Sequence, residues 1–235
     1  FLFAIPKTIF MICSLVGLPF HYLLRWPCSP FTAVGLVLGL VSFFNILYGT
    51  LVGISKFEVK DIEFHHPNLP KAFDGYRIVQ LSDIHIGSWI DNEKTINELV
   101  ELVNAQKPDL IVFTGDLVNQ RSCELEGFQD ILAQLHAKDG VYSILGNHDY
   151  GSYYHWKNLK EQVNNIDNLI RMQKTMGWKL LNNEYDILHH EGDSIALIGV
   201  ENDGEPPFSQ FADLKKATKG TDGMFRILLS HNPTH

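Results

Sequence analysis

Leu110-Ile111-Val112-Phe113-Thr114-Gly115-Asp116 opens with an uninterrupted apolar run and closes on a glycine and a carboxylate. A run without polar alternation reads as a strand covered on both faces, as in the middle of a parallel sheet. Just upstream, Lys107-Pro108-Asp109 stops a helix expected over Asp91–Gln106. Its apolar positions Ile96, Leu99, Val100 and Val103 recur at helical spacing, with Asp91 as the N-cap. Further back, Tyr76–Leu81 is expected to be a strand ending at Ser82-Asp83. The alternating Phe57–Phe64 predicts an opening strand, separated from it by a linker with Pro67 and Pro70. Downstream, the pattern predicts a helix over Glu126–Ala137, a strand over Val141–Leu145, and a helix over Asn164–Met176 ended by Gly177. Leu188–His190 and Ser194–Val200 read as a strand pair turning at Glu191-Gly192-Asp193, and Phe225–Ser230 as a last strand. Strand and helix in such alternation imply an α/β layered domain.

Composition changes sharply near residue 55. The first 55 residues carry only Lys7 and Arg25 as charged side chains. The remainder holds 17 basic against 27 acidic residues, about ten net negative charges. That balance excludes tracking of a nucleic-acid backbone by bulk charge. An anionic substrate would need a local cation, which bound metal can supply. Thr8–Leu24 and Phe31–Ile54 are apolar, and a crossing helix needs about 20 residues. The polar turn Arg25–Pro30 joins them, with Tyr22 and Trp26 suited to the headgroup level. The expectation is a transmembrane helical hairpin over residues 1–55, so a multi-pass membrane protein, followed by a soluble domain over 56–235. One basic residue on either side of the first helix leaves orientation open. Cys13, Cys28 and Cys123 form no CxxC pair and read as unpaired thiols.

Four strands end in polar residues that packing does not require: Ser82-Asp83-Ile84-His85, Thr114-Gly115-Asp116, Gly146-Asn147-His148-Asp149 and Ser230-His231-Asn232-Pro233. In open α/β sheets, the carboxyl ends of strands line the ligand crevice. Asp83, His85, Asp116, Asn147, His148 and His231 are therefore expected to converge. Carboxylates, an amide oxygen and imidazoles without thiolate suit hard-to-borderline divalent cations such as Mn, Fe or Zn. Asp83 and His85, two apart on an extended strand end, would point the same way and share one ion. Asp116 suits a bridging role, one oxygen for each of two ions. The remaining histidines, among them the adjacent pairs His65-His66 and His189-His190, carry no such pattern.

In this order the blocks Asp83-x-His85, Gly115-Asp116, Gly146-Asn147-His148-Asp149 and His231 resemble the calcineurin-like metallophosphoesterase superfamily, in its bacterial branch with an N-terminal membrane anchor. The resemblance implies a double β-sheet sandwich flanked by helices and a site for two divalent metal ions. It implies Asp83 and His85 on the first ion, Asp116 between the ions, and Asn147 and His231 on the second. His148 would then be the catalytic acid at the leaving group, with Asp149 orienting it. The family's closing Gly-His-x-His is not found, and His235 does not fit it, so the domain is expected to continue beyond residue 235. The implied activity is hydrolysis of a phosphate ester at a membrane surface or envelope, in a bacterial cell membrane. The alternatives are a phosphodiesterase or pyrophosphatase acting on a soluble nucleotide, and a non-catalytic, membrane-tethered metal-binding protein.

Overall fold

Four short parallel strands form the first sheet: β1 (Ile78–Leu81), β2 (Leu110–Phe113), β3 (Val141–Ser143) and β4 (Lys179–Leu180), in the order β1-β2-β3-β4. The computed structural model describes the whole chain except residues 28, 207 and 233–235. The expectations that touch Cys28, Pro233 and His235 therefore lie outside the described residues. All four residues of β2 are buried, as the apolar run requires. A second sheet pairs β5 (Glu184–His190) antiparallel with β6 (Asp193–Gly199), and β6 parallel with β7 (Phe225–Leu229). The β5–β6 hairpin turns through Glu191 and Gly192, both at positive φ, as two-residue hairpins prefer.

The sheets meet in one core. Leu110, Val112, Tyr142, Ile144 and Leu181 from the first pack with Leu188, Ile195, Leu197 and Leu229 from the second. Each fully buried aliphatic side chain contributes about 1.5–3 kcal/mol, so this layer is the main source of cohesion. The outer face of β2 is closed too: Phe113 lies 5.5 Å from the ring of Trp178. Two amphipathic helices, α3 (Glu93–Ala105) and α5 (Leu159–Thr175), bury Ile96, Leu99, Val100 and Val103, and Leu169 and Met172. A short helix, α4 (Gln129–Leu132), packs against α3. The fold is thus the α/β double-sheet sandwich with flanking helices. This unit, Glu63–His235, is compact in itself.

The other compact unit, Phe1–Ile62, is built on α1 (Ala4–Leu24) and α2 (Ser29–Leu51). Both are long and apolar enough to cross a membrane. They pack as an antiparallel hairpin through small residues: Gly17 against Phe31, Gly35 against Cys13 and the Phe10 carbonyl, and Gly39 against the Pro6 carbonyl. A Cβ on Gly35 would lie 2.8 Å from the Cys13 Cβ, so the helices approach as closely as glycine permits.

Four local expectations are corrected. Phe57–Phe64 forms no strand; Val59, Ile62 and Phe64 are exposed, so alternation alone found no sheet to join. The helix expected over Glu126–Ala137 is only α4. Asn104 stops it by donating to the Gln134 carbonyl (2.8 Å) and accepting from the His136 N–H (3.2 Å). The helix expected from Asn164 begins at Leu159, because Asn158 caps it by accepting the Glu161 N–H at 3.0 Å. The N-cap of α3 is Asn92; Asp91 instead takes a left-handed backbone, φ 65°.

Candidate metal centre

The site is built where β1, β2 and β3 end and the chain turns sharply. Three of its side chains sit on left-handed backbone: Asp83 (φ 55°), His85 (φ 47°) and Asp116 (φ 59°). Such conformations are costly outside glycine and persist where surrounding bonds enforce them. Here the Asp83 N–H donates to the Gly115 carbonyl (3.0 Å), and the His85 N–H to the Asp116 carbonyl (3.1 Å). The extended strand end expected for Asp83 and His85 is therefore replaced by a kinked loop. The two side chains still meet, with His85 Nε2 3.8 Å from Asp83 Oδ1. Two glycines let the loops touch. A Cβ on Gly115 would lie 2.6 Å from the Gly146 nitrogen, and one on Gly146 would lie 2.2 Å from Asp116 Oδ1.

Asp116 is the hub, buried to 3% exposure. Its Oδ1 accepts the His148 backbone N–H at 2.9 Å. Its Oδ2 lies 3.4 Å from His85 Nε2 and 3.5 Å from His231 Nε2. A single oxygen thus faces both imidazoles, rather than one oxygen for each side. Burial raises the pKa of this carboxyl, but His231 and the His148 N–H outweigh it and hold the group below the usual carboxylate range. His231 lies with Nδ1 2.8 Å from the Thr114 carbonyl and Nε2 3.1 Å from Asn147 Oδ1. Burial lowers its pKa, yet Asp116 and the Thr114 carbonyl raise it to about 9. A cation bound at Nε2 must therefore displace a proton.

The donor set fits divalent ions. Asp83, Asp116 and His231 offer ligand atoms within 4.8 Å of one another, and so do His85, Asp116 and His148. The bond from His231 Nδ1 to a carbonyl leaves Nε2 facing the cluster, the orientation usual for a histidine that can bind a metal. Asn147 directs Oδ1 toward His231 while its Nδ2 donates to the Tyr153 hydroxyl at 3.0 Å. All seven residues singled out from the sequence lie at or directly behind this cluster.

Asp149 does not orient His148. It is fully buried, and its carboxylate accepts four backbone N–H groups: Gly146 (2.9 Å), Asp116 (2.9 Å), Leu117 (2.9 Å) and Val118 (3.1 Å). Burial pushes its pKa up to about 7 against the pull of the Gly146 N–H, and the charge of Asp116 adds to the rise. Its work is to clamp the β2 and β3 loops together. The residue that orients His148 is Asn119, whose carbonyl lies 2.6 Å from Nδ1. Tyr153 adds a ring contact at 4.7 Å, and the His85 ring stands perpendicular to His148, also at 4.7 Å. Neither Asn119 nor Tyr153 carries a sequence signal, since a backbone carbonyl can come from any residue.

A model of the calcineurin-like phosphoesterase family matches residues 76–235. A transmembrane protein with metallophosphoesterase domain from Danio rerio is 29% identical over 196 residues, covering 80% of this chain and 42% of the relative. UDP-2,3-diacylglucosamine pyrophosphatase LpxG of Chlamydia trachomatis is 28% identical over 204 residues, covering 71% and 60%. An uncharacterized metallophosphoesterase of Helicobacter pylori is 29% identical over 205 residues, covering 86% and 50%. The chain spans less than two-thirds of the length of each of these relatives.

Proposed function

The chain belongs to the calcineurin-like phosphoesterase family, and from that premise we propose that it hydrolyses a phosphate ester at a dinuclear metal site. The observation that carries the reading is the position of Asp116 Oδ2, between the Nε2 atoms of His85 and His231. Asp83 and His85 would hold one ion, Asn147 and His231 the other, and Asp116 both; Mn, Fe or Zn suits these donors. Two ions so held would supply a nucleophilic hydroxide from bound water and a clamp on the phosphoryl oxygens. The protein residues do the remaining work. Asp116 is fixed through Oδ1 by the His148 N–H, so its free oxygen cannot rotate away from the cluster. His148 keeps Nδ1 on the Asn119 carbonyl, which leaves Nε2 to carry a proton to the departing oxygen.

Two helices long and apolar enough to cross a membrane support a multi-pass membrane protein, and the motif blocks support a bacterial cell membrane. The substrate class that joins them is a phosphate ester at the membrane surface. One relative, LpxG, is named as a pyrophosphatase of UDP-2,3-diacylglucosamine, a nucleotide sugar with two acyl groups on its sugar, which supports a lipid-borne phosphate here. The second reading, a soluble nucleotide diester or pyrophosphate, uses the same ligands. Purified full-length protein in detergent, loaded with Mn, should hydrolyse para-nitrophenyl phosphate or the bis-ester and lose that activity on chelation. The preferred ester separates monoesterase from diesterase. A metal-loaded protein inert toward both esters and toward pyrophosphate bonds overturns the proposal.

A further inference from the structure

We propose that residues 208–219 form a docking patch through which the hydrolytic unit rests on an anionic lipid surface. The segment is Phe-Ser-Gln-Phe-Ala-Asp-Leu-Lys-Lys-Ala-Thr-Lys, with the short helix α6 (Leu214–Ala217) near its end. Phe208, Phe211 and Leu214 are exposed large apolar side chains, and Lys215, Lys216 and Lys219 are exposed beside them. Its only acid is Asp213, and that carboxylate is engaged in capping α6, accepting the Lys216 N–H at 2.9 Å. Glu205 flanks the segment, Glu184 belongs to the adjoining strand β5, and Asp222 follows, paired with Arg226. Three lysines within five positions stand out in a unit carrying about ten net negative charges. Exposed aromatics interleaved with lysine match the chemistry of a membrane interface: rings at headgroup depth, ammonium groups against lipid phosphates.

The occupant is a bilayer rather than a soluble partner because the same chain carries two helices long and apolar enough to cross one. The patch also adjoins the metal centre. Phe208 packs on Gly204, whose missing Cβ would lie 2.5 Å from the Phe208 Cβ and 3.0 Å from Asn232 Nδ2. Asn232 follows His231 and donates to Asn202 Oδ1 at 2.8 Å. Asn202 in turn donates to the Ser209 carbonyl at 2.9 Å, and Phe211 lies 5.0 Å from the ring of Tyr150, beside Asp149. Contact at this segment would bring the lipid surface to the His231 side of the site. The inference does not depend on the proposed activity, since the docking is read without turnover.

The test uses the full chain with Cys13, Cys28 and Cys123 replaced by serine and a single environment-sensitive fluorophore on Phe208→Cys. The protein is reconstituted into nanodiscs of phosphatidylcholine alone or with phosphatidylglycerol. A second version carries the fluorophore on Lys94→Cys, an exposed site on α3. The proposal expects blue-shifted emission at position 208, quenched by spin-labelled lipid, in the discs containing phosphatidylglycerol. It expects emission nearer that in water in phosphatidylcholine, loss of the shift in K215E/K216E/K219E, and no shift at position 94. Circular dichroism checks that the charge reversal leaves the fold intact. Water-like emission at position 208 in every disc overturns the proposal, as does burial that ignores both lipid charge and the three reversals. Burial in lipid-free detergent that grows with protein concentration would assign the patch to a second copy of the chain and also overturns it.

Discussion

The two sides of the metal centre are held in different ways. Asp116 and His231 are held by protein bonds: one is buried and bonded through Oδ1, the other is locked by the Thr114 carbonyl, and the Asp149 clamp lies behind them. Asp83 and His85 are placed by backbone bonds, but the Asp83 side chain is 56% exposed and that of His85 28%. The first half is rigid, fixed by its own hydrogen bonds; the second leaves its side chains room to adjust.

The comparison breaks most readily at Asp149. Asp149→Ala leaves four buried N–H groups without an acceptor, at about 1–3 kcal/mol each, so a loss of at least about 4 kcal/mol is expected. Thermal unfolding in detergent should show it, and an unchanged midpoint would mean that the clamp is not what makes this half rigid. Next in size is His148→Asn. It should retain the metals and lower kcat about 100- to 10,000-fold on an alkyl phosphate, with a smaller loss for an acidic leaving group. His148 also lies within coordinating reach of His85 and Asp116, so metal analysis decides between roles. A drop in metal content with equal losses for all leaving groups would move His148 into the coordination shell.

The smallest effect is expected away from the Asp116 cluster, where Lys138 pairs with Asp109 just before β2. Burial raises the pKa of Asp109, but the Arg77 N–H and Lys138 outweigh it and hold the carboxyl below its ordinary 3.8. Its folded pKa is depressed, so its stabilisation is present above the unfolded value and fades as pH falls through the folded one. Asp109→Asn should therefore lower stability at pH 7 and flatten the acid limb below pH 4, leaving metal content unchanged. Unfolding curves at several pH values check this. A variant with an equally steep acid limb would show that other carboxylates carry it.

Much of this was legible in the sequence, for identifiable reasons. The β2 run could only be a covered strand, and polar residues at strand ends could only be gathered by the sheet. Other features depended on contacts that the sequence does not encode locally. The left-handed turns at Asp83, His85 and Asp116 arise from bonds between loops. An acid following a histidine reads as its partner, yet Asp149 was drawn instead to the N–H groups that residues 116–118 and Gly146 turn toward it. Phe57–Phe64 alternates like a strand but forms none, and its apolar side chains Val59, Ile62 and Phe64 stay exposed. Asn104 ended a helix thirty residues away, beyond any window of local propensity.

In the proposed site Asp116 serves two ions through one oxygen, Oδ2. Metal content per chain, measured after equilibration with Mn for wild type and for Asp116→Ala, tests it most directly. Two ions are expected in the wild type. In the variant both sites should weaken together, by more than the 10- to 100-fold typical of an outer-shell partner. Retention of one tightly bound ion, or of two, in Asp116→Ala would contradict it.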